Sequence, residues 1–241
     1  MFHFAGHGIL LDIEGTTSSV RYVYDVLFPY ARRELDSFLR TQWKNDAVQE
    51  ACKQVCRDAG WIDKEFVPAD DSRRQSIREI VLRLMDEDAK TTGLKQLQGL
   101  IWQRGFESDE LQSHVFDDVP LALAKWNQRG YDVRIYSSGS VLAQRLFFQH
   151  TSAGDLTYLL RGHYDTTVGS KKETASYRKI AADYANPAPE TLFISDIVAE
   201  LDAAKAAGLQ TALCERLGNA PQGANHGHPV IRSFDEIELA N

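Results

Sequence analysis

The chain has 241 residues, 43% hydrophobic and 25% charged, with 16 Gly and 7 Pro, which excludes collagen-like, low-complexity and strongly disordered chains. Its 27 Lys and Arg against 34 Asp and Glu give a net charge of −7. That balance argues against nucleic acid or an anionic membrane as partner, but leaves room for a small anion in one locally cationic or metal-bearing cleft.

Three cysteines (Cys52, Cys56 and Cys214) are odd in number and too few for a disulfide scaffold, so a reducing, cytoplasmic setting is expected. Cys52 and Cys56, four apart on a helical pattern, read as buried small hydrophobes. No apolar run of about 18 residues predicts a spanning helix. The opening MFHFAGHGILL has no basic leader and runs straight into acids, so no signal peptide is expected.

Gly8–Ile13 (GILLDI) is a compact apolar run ending at acids, the pattern of a buried parallel strand. After Ser19 the apolar period becomes helical. Val23, Val26, Leu27, Tyr30, Ala31, Leu35, Phe38 and Leu39 form one stripe, and Val48, Ala51, Cys52, Val55 and Ala59 a second. Ile77 to Met85 and Leu94 to Ile101 continue the pattern, so residues 20–113 are expected to form a helical domain inserted into the rest. Strands and helices then alternate. Helix Val119–Gln128 precedes strand Asp132–Ser137, and helix Gly139–Gln149 precedes a strand at Gly162–Thr167. Helix Lys172–Tyr184, strand Thr191–Asp196 and a helix to Ala207, with Gly208 as its C′ residue, come next. Gln210–Glu215 and Val230–Phe234 read as last strands. The alternation predicts an α/β fold with a doubly wound, mainly parallel sheet formed by residues 1–19 and 114–241.

Ligands of such sheets bind beyond the carboxyl ends of the strands. The polar residues there are Asp12-Ile-Glu14-Gly-Thr-Thr, Ser137-Ser138-Gly-Ser, Lys171 and Ser195-Asp196, with Glu200 four residues further on. Together they suit phosphoryl transfer. Asp12 can attack phosphorus, Glu14 can give and take protons, and Ser137 with the amides opening the Gly139 helix can donate to phosphoryl oxygens. Lys171 adds positive charge, and Mg²⁺ on Asp12 and Asp196 would let two anions meet. Strand period points Glu14 the same way as Asp12, provided the strand geometry persists. Each group alone has a plain reading: acids ending strands are often turn or cap residues, and Lys171-Lys172 alone is a solvated basic patch. Their joint order at strand ends raises the catalytic reading. His226-Gly-His228 sits in a Gly/Asn/Pro loop and is expected to face solvent, as are His3 and His7.

This set of motifs resembles the haloacid-dehalogenase-type phosphatases (the HAD superfamily) and, within them, the enolase-phosphatase (acireductone synthase) family of methionine salvage. DIEGTT, YSSGS and VGSKKETASY carry the resemblance, which runs over nearly the whole chain. It implies a Rossmann-like HAD core and makes the helical insert a cap that selects substrate. It also implies one Mg²⁺ per chain at Asp12, Glu14 and Asp196, with Ser137, Ser138 and Lys171 on the substrate. Asp12 and Glu14 would be the catalytic pair. The substrate would be 5-methylthio-2,3-dioxopentyl phosphate, a small phosphorylated diketone that is enolised and then dephosphorylated by a monomeric, cytoplasmic enzyme without nucleic-acid or membrane partners. The wider superfamily usually carries Asp where this chain has Glu14, so side chain and backbone carbonyl are both open as its route to the metal. Two alternatives share the same residues: another magnesium-dependent phosphatase of the superfamily, and a non-catalytic module that holds a phosphorylated ligand.

Overall fold

The structure, a computed structural model, describes residues 1–60 and 71–240. Positions 61–70, within the expected helical block, lie outside the described residues. The chain divides into two compact units, Met1–Val23 with Gln112–Asn241, and Tyr24–Leu111. The first crossing comes later than residue 19 for a physical reason. Ser19 caps a short helix α1 (Val20–Tyr22), whose Tyr22 ring stays with the first unit against Phe147 and His114. A π-helical turn, Val23–Leu27, carries the chain on.

The first unit is built on a six-stranded parallel sheet of β2 (Gly8–Leu11), β3 (Asp132–Tyr136), β4 (Gly162–Tyr164), β5 (Thr191–Ser195), β6 (Gln210–Cys214) and β7 (Val230–Ile231). The spatial order is β4-β3-β2-β5-β6-β7. The chain builds outward from β2 to β4, then returns to lay β5 against the other edge of β2, so the order reverses at β2. All four residues of β2 are buried, as are all five of β5, which explains their uninterrupted apolar runs. The connecting helices are α6 (Asp118–Gln128), α7 (Val141–Gln149), α8 (Thr174–Ala182) and α9 (Val198–Ala206). Gly208 closes α9 at φ +94°, the left-handed position expected of it. Leu10, Phe193 and Leu213 from the sheet and Tyr177, Ile180, Leu201 and Ala204 from α8 and α9 share one core.

Three readings change. A second, two-stranded parallel sheet joins β1 (Phe2–Phe4) to β8 (Ile237–Leu239), each too short to stand out as an apolar run. The strand expected at Val230–Phe234 stops at Ile231, because Ser233 and Glu236 form a reciprocal capping box over a 3₁₀ turn, Phe234–Glu236. His228 does not face solvent: it is buried between Thr211 Oγ1 at 2.8 Å and Asp202 Oδ1 at 3.1 Å, with His226 stacked on it. With both ring nitrogens partnered, burial of that imidazole is inexpensive. His3 and His7 are exposed.

The second unit holds α2 (Phe28–Gln42), α3 (Asp46–Asp58), α4 (Asp71–Asp86) and α5 (Thr92–Glu107). Cys52 and Cys56 share the buried face of α3 with Val48, Ala51 and Val55, and all three cysteines are free and buried. Gly93 lets α5 approach α3 closely, since a Cβ there would lie 2.3 Å from the Val55 nitrogen. Asp58 then accepts the Gly93 N–H at 2.7 Å. Among the described residues no helix is long and apolar enough to cross a membrane.

Candidate active site

The carboxyl end of β2 delivers Asp12 to the reversal point of the sheet, where ligands of parallel sheets bind. Its Oδ1 accepts from the Ile13 N–H at 2.8 Å and from Lys171 Nζ at 2.6 Å. Extended geometry ends there. The N–H groups of Thr16, Thr17 and Ser18 all converge on the Ile13 carbonyl, and Gly15 turns at φ +72°. Glu14 therefore does not follow Asp12 by strand period. The turn carries its half-buried carboxylate to the tip of β3, where Ser137 Oγ donates to Glu14 Oε2 at 3.2 Å.

Beyond β3, Ser137 is buried and takes the Gly139 N–H at 3.3 Å, while Ser140 caps α7 through the Ala143 N–H. Asp165 takes the Val141 N–H at 3.1 Å. The amides of Gly139, Val141 and Ala143, expected to face phosphoryl oxygens, are thus already engaged by side chains. Ser138, half-buried, lies between Ser137 and Gly139 in the same loop.

Lys171 is not part of a solvated patch; its neighbour Lys172 is exposed, but Lys171 is buried. The loop that carries it is held by three side chains: Tyr136 Oη donates to the Gly169 carbonyl, Ser176 Oγ to that of Ser170 and Tyr177 Oη to that of Lys171. Its ammonium bridges Asp12 Oδ1 and Glu200 Oε2, the latter at 2.8 Å. Glu200, noted four residues beyond Asp196 but given no role, belongs with the site. It sits in the first turn of α9 and accepts from Ser195 Oγ at 2.9 Å, closer than the 3.4 Å from that hydroxyl to Asp12.

Asp196 follows directly on β5, with its carboxylate against the turn. A Cβ on Gly15 would lie 2.3 Å from Asp196 Oδ2, so only glycine leaves that space. Burial first, and then the charge of Asp12, pushes Asp196 up to about 7. The same two causes push Glu200 up to about 7 and raise Glu14. Burial opposes the Lys171 charge, but Asp12, Glu200 and Glu14 outweigh it and hold the ammonium protonated. Four carboxylates thus share one ammonium, a charge excess that a hard cation with oxygen ligands relieves. Among the described residues no three acid, His or Cys side chains form a ready-made cage. Asp12 and Asp196 share the β2–β5 corner, whereas the Glu14 side chain turns to Ser137. The donors suit an ion that keeps several waters, as Mg²⁺ does.

Sequence reasoning also passed over Arg216 and Asn219, which lie after β6. Arg216 Nε donates to the Thr16 carbonyl at 3.2 Å and Asn219 Nδ2 to that of Gly15 at 2.9 Å. Neither has a signal in apolar period or motif.

Residues 7–208 match the family model for haloacid dehalogenase-like hydrolases. The chain is 45% identical to Enolase-phosphatase E1 of Alcanivorax borkumensis over 98% of this chain and 99% of that one. It is likewise 45% identical to Enolase-phosphatase E1 of Pseudomonas aeruginosa over 95% and 96% of the two chains. The crystal structure of the UTR4 protein of Saccharomyces cerevisiae superposes with a TM-score of 0.79 at 32% identity, covering 96% of this chain and 99% of that one.

Proposed function

Because the chain belongs to the enolase-phosphatase family of haloacid dehalogenase-like hydrolases, we propose that its Asp12 site enolises 5-methylthio-2,3-dioxopentyl phosphate and then hydrolyses the ester to 1,2-dihydroxy-5-methylthiopent-1-en-3-one. The observation that carries the reading is the buried ion pair of Asp12 and Lys171, 2.6 Å apart at the reversal point of the sheet, with Glu14 held beside it by Ser137. Phosphatases of this superfamily are generally magnesium-dependent. Asp12 and Asp196, with Glu14 contributing through carboxylate or backbone carbonyl, would hold one Mg²⁺ per chain, which would supply Lewis-acid polarisation of substrate oxygens.

The chain's own groups divide the remaining work. Lys171 and the Ile13 N–H hold Asp12 Oδ1, while Oδ2, which takes only a long 3.4 Å contact from Ser195 Oγ, attacks phosphorus and forms an aspartyl-phosphate. Ser137 and Ser138 orient the phosphoryl group, and Lys171 meets the negative charge that collects on it. Glu14 is half-buried and outside the Lys171 ion pairs, so it is the carboxylate that moves protons. It takes one from the carbon that bears the phosphate and gives it to the departing ester oxygen, then takes another from the water that releases Asp12 and passes it to the enolate oxygen, so that the enediol leaves neutral and Glu14 is ionised again. The same reading places the protein in the cytoplasm as a monomer with a small-molecule partner, in keeping with three free, buried cysteines and a net charge of −7.

Ultraviolet detection of the enediol made from the dioxopentyl phosphate, with Mg²⁺ and with EDTA, tests the proposal. Absorbance growing only with Mg²⁺ is expected. Hydrolysis of an aryl phosphate without any enediol from the diketone points to another phosphatase, and hydrolysis of neither points to a binding module.

A further inference from the structure

The loop after β6 holds the catalytic turn from outside the acid cluster. Within four residues it sends two side chains to two successive carbonyls of that turn: Asn219 to Gly15 at 2.9 Å and Arg216 to Thr16 at 3.2 Å. Both side chains are tied down in turn. Asn219 Nδ2 also reaches the Cys214 carbonyl at 3.1 Å, and Arg216 pairs with Asp118 at 2.8 Å. Gly15 is therefore enclosed on both sides. The position its missing Cβ would take lies 2.3 Å from Asp196 Oδ2 and 3.0 Å from Asn219 Oδ1. The residue before it, Glu14, is held at the other end by Ser137.

We propose that Asn219 is a positioning residue: by gripping the Gly15 carbonyl it sets the turn against Asp196 and so fixes the spacing of the Asp12, Glu14 and Asp196 groups that receive Mg²⁺. The proposal rests on the functional reading above only in naming Mg²⁺ as the cation. Outer groups that orient metal ligands are typically worth about 10–100-fold in affinity or activity. Asn219 itself is half-buried, so its removal leaves no large cavity.

The test measures Mg²⁺ binding to metal-free protein by calorimetry, together with kcat and KM for an aryl phosphate. Asn219→Ala and the near-isosteric, donor-free and uncharged Asn219→Leu are compared with Asp202→Ala. The last breaks the His228 contact without touching the catalytic turn. Both Asn219 variants are expected to weaken Mg²⁺ roughly 10–100-fold and to lower kcat, with KM unchanged. Asp202→Ala is expected to lower Tm while leaving Mg²⁺ affinity at the wild-type value. Wild-type Mg²⁺ affinity in Asn219→Ala overturns the proposal, as does an equal loss in Asp202→Ala, which would mean general loosening. Wild-type protein that binds Mg²⁺ but hydrolyses nothing would refute the phosphatase reading, while the calorimetric comparison still decides the role of Asn219.

Discussion

Two buried clusters of charge lie in the sheet-bearing unit, and they are shifted in opposite directions. Around Arg216, the Asp118 carboxylate accepts from Arg216 Nη2 at 2.8 Å, the Phe234 N–H at 2.6 Å and Ser233 Oγ at 3.1 Å. The guanidinium also lies over the rings of Phe116 and Phe234. Burial alone would raise Asp118, but these donors and the Arg216 charge hold it below the usual carboxylate range. Around Asp12 the deeper burial is not offset in this way, and Asp196 and Glu200 stand near 7 with Glu14 raised. The difference is in donors: one carboxylate with three donors and its own cation, against four carboxylates around one ammonium. A satisfied cluster stabilises the fold. An unsatisfied one keeps its affinity for a cation and for protons, which is what phosphoryl transfer requires.

The sharpest way to separate the clusters is to remove one anion from each. Asp12→Asn is expected to reduce phosphate release by about 10⁴-fold or more, because an amide is a poor nucleophile. It should not lower the stability of the metal-free protein, since a like charge leaves the cluster. Solvent deuterium should still enter the diketone in this variant, because proton removal is assigned to Glu14. Phosphate release at the wild-type rate would sink the nucleophile assignment, and absence of exchange would sink separable steps. Asp118→Ala works the other way. It leaves Arg216, only 6% exposed at its side chain, without its anion, and is expected to cost about 3–5 kcal/mol in urea unfolding. A loss below about 1 kcal/mol, the size of an exposed pair, would remove the contrast.

Legibility in the sequence follows the same division. Asp12 and Asp196 were legible because continuous apolar runs such as GILL and TLFIS mark buried parallel strands, whose ends mark the site. Lys171 was legible by its place in the order of motifs, although residue type alone would leave it in solvent. The direction of Glu14 was not, because it depends on a turn closed by one carbonyl, that of Ile13, and on a glycine at positive φ. Glu200 was visible as an acid four residues after Asp196, but its bond to Ser195 and its ion pair with Lys171 exist only once β5 and the Lys171 loop meet. Arg216 and Asn219 act on backbone carbonyls across about 200 residues of sequence, a relation that no periodicity encodes. The β1–β8 pair was missed for the opposite reason: the alternation of FHF and IEL is present but only three residues long.

The smallest expected effect is also the one that measures the imbalance directly. A carboxylate whose folded pKa is raised makes the folded state bind protons more tightly than the unfolded chain does. Its burden on stability therefore grows as pH rises from the ordinary value through the raised one and is complete above it. For Asp196 and Glu200 that window runs from about 4 to about 7. Asp118 is lowered, so its contribution is present above the ordinary value near 4 and disappears only as pH falls below it. The windows barely overlap. Metal-free protein is thus expected to melt higher at pH 6 than at pH 8, by roughly 2–8 °C for about 1–2 kcal/mol, since the strongly interacting acids do not contribute independently. Adding Mg²⁺ at pH 8 should recover the difference by binding the ionised cluster. A melting temperature in EDTA that climbs from pH 6 to pH 8 would mean that the acids around Asp12 are already balanced, and the two clusters would then be alike.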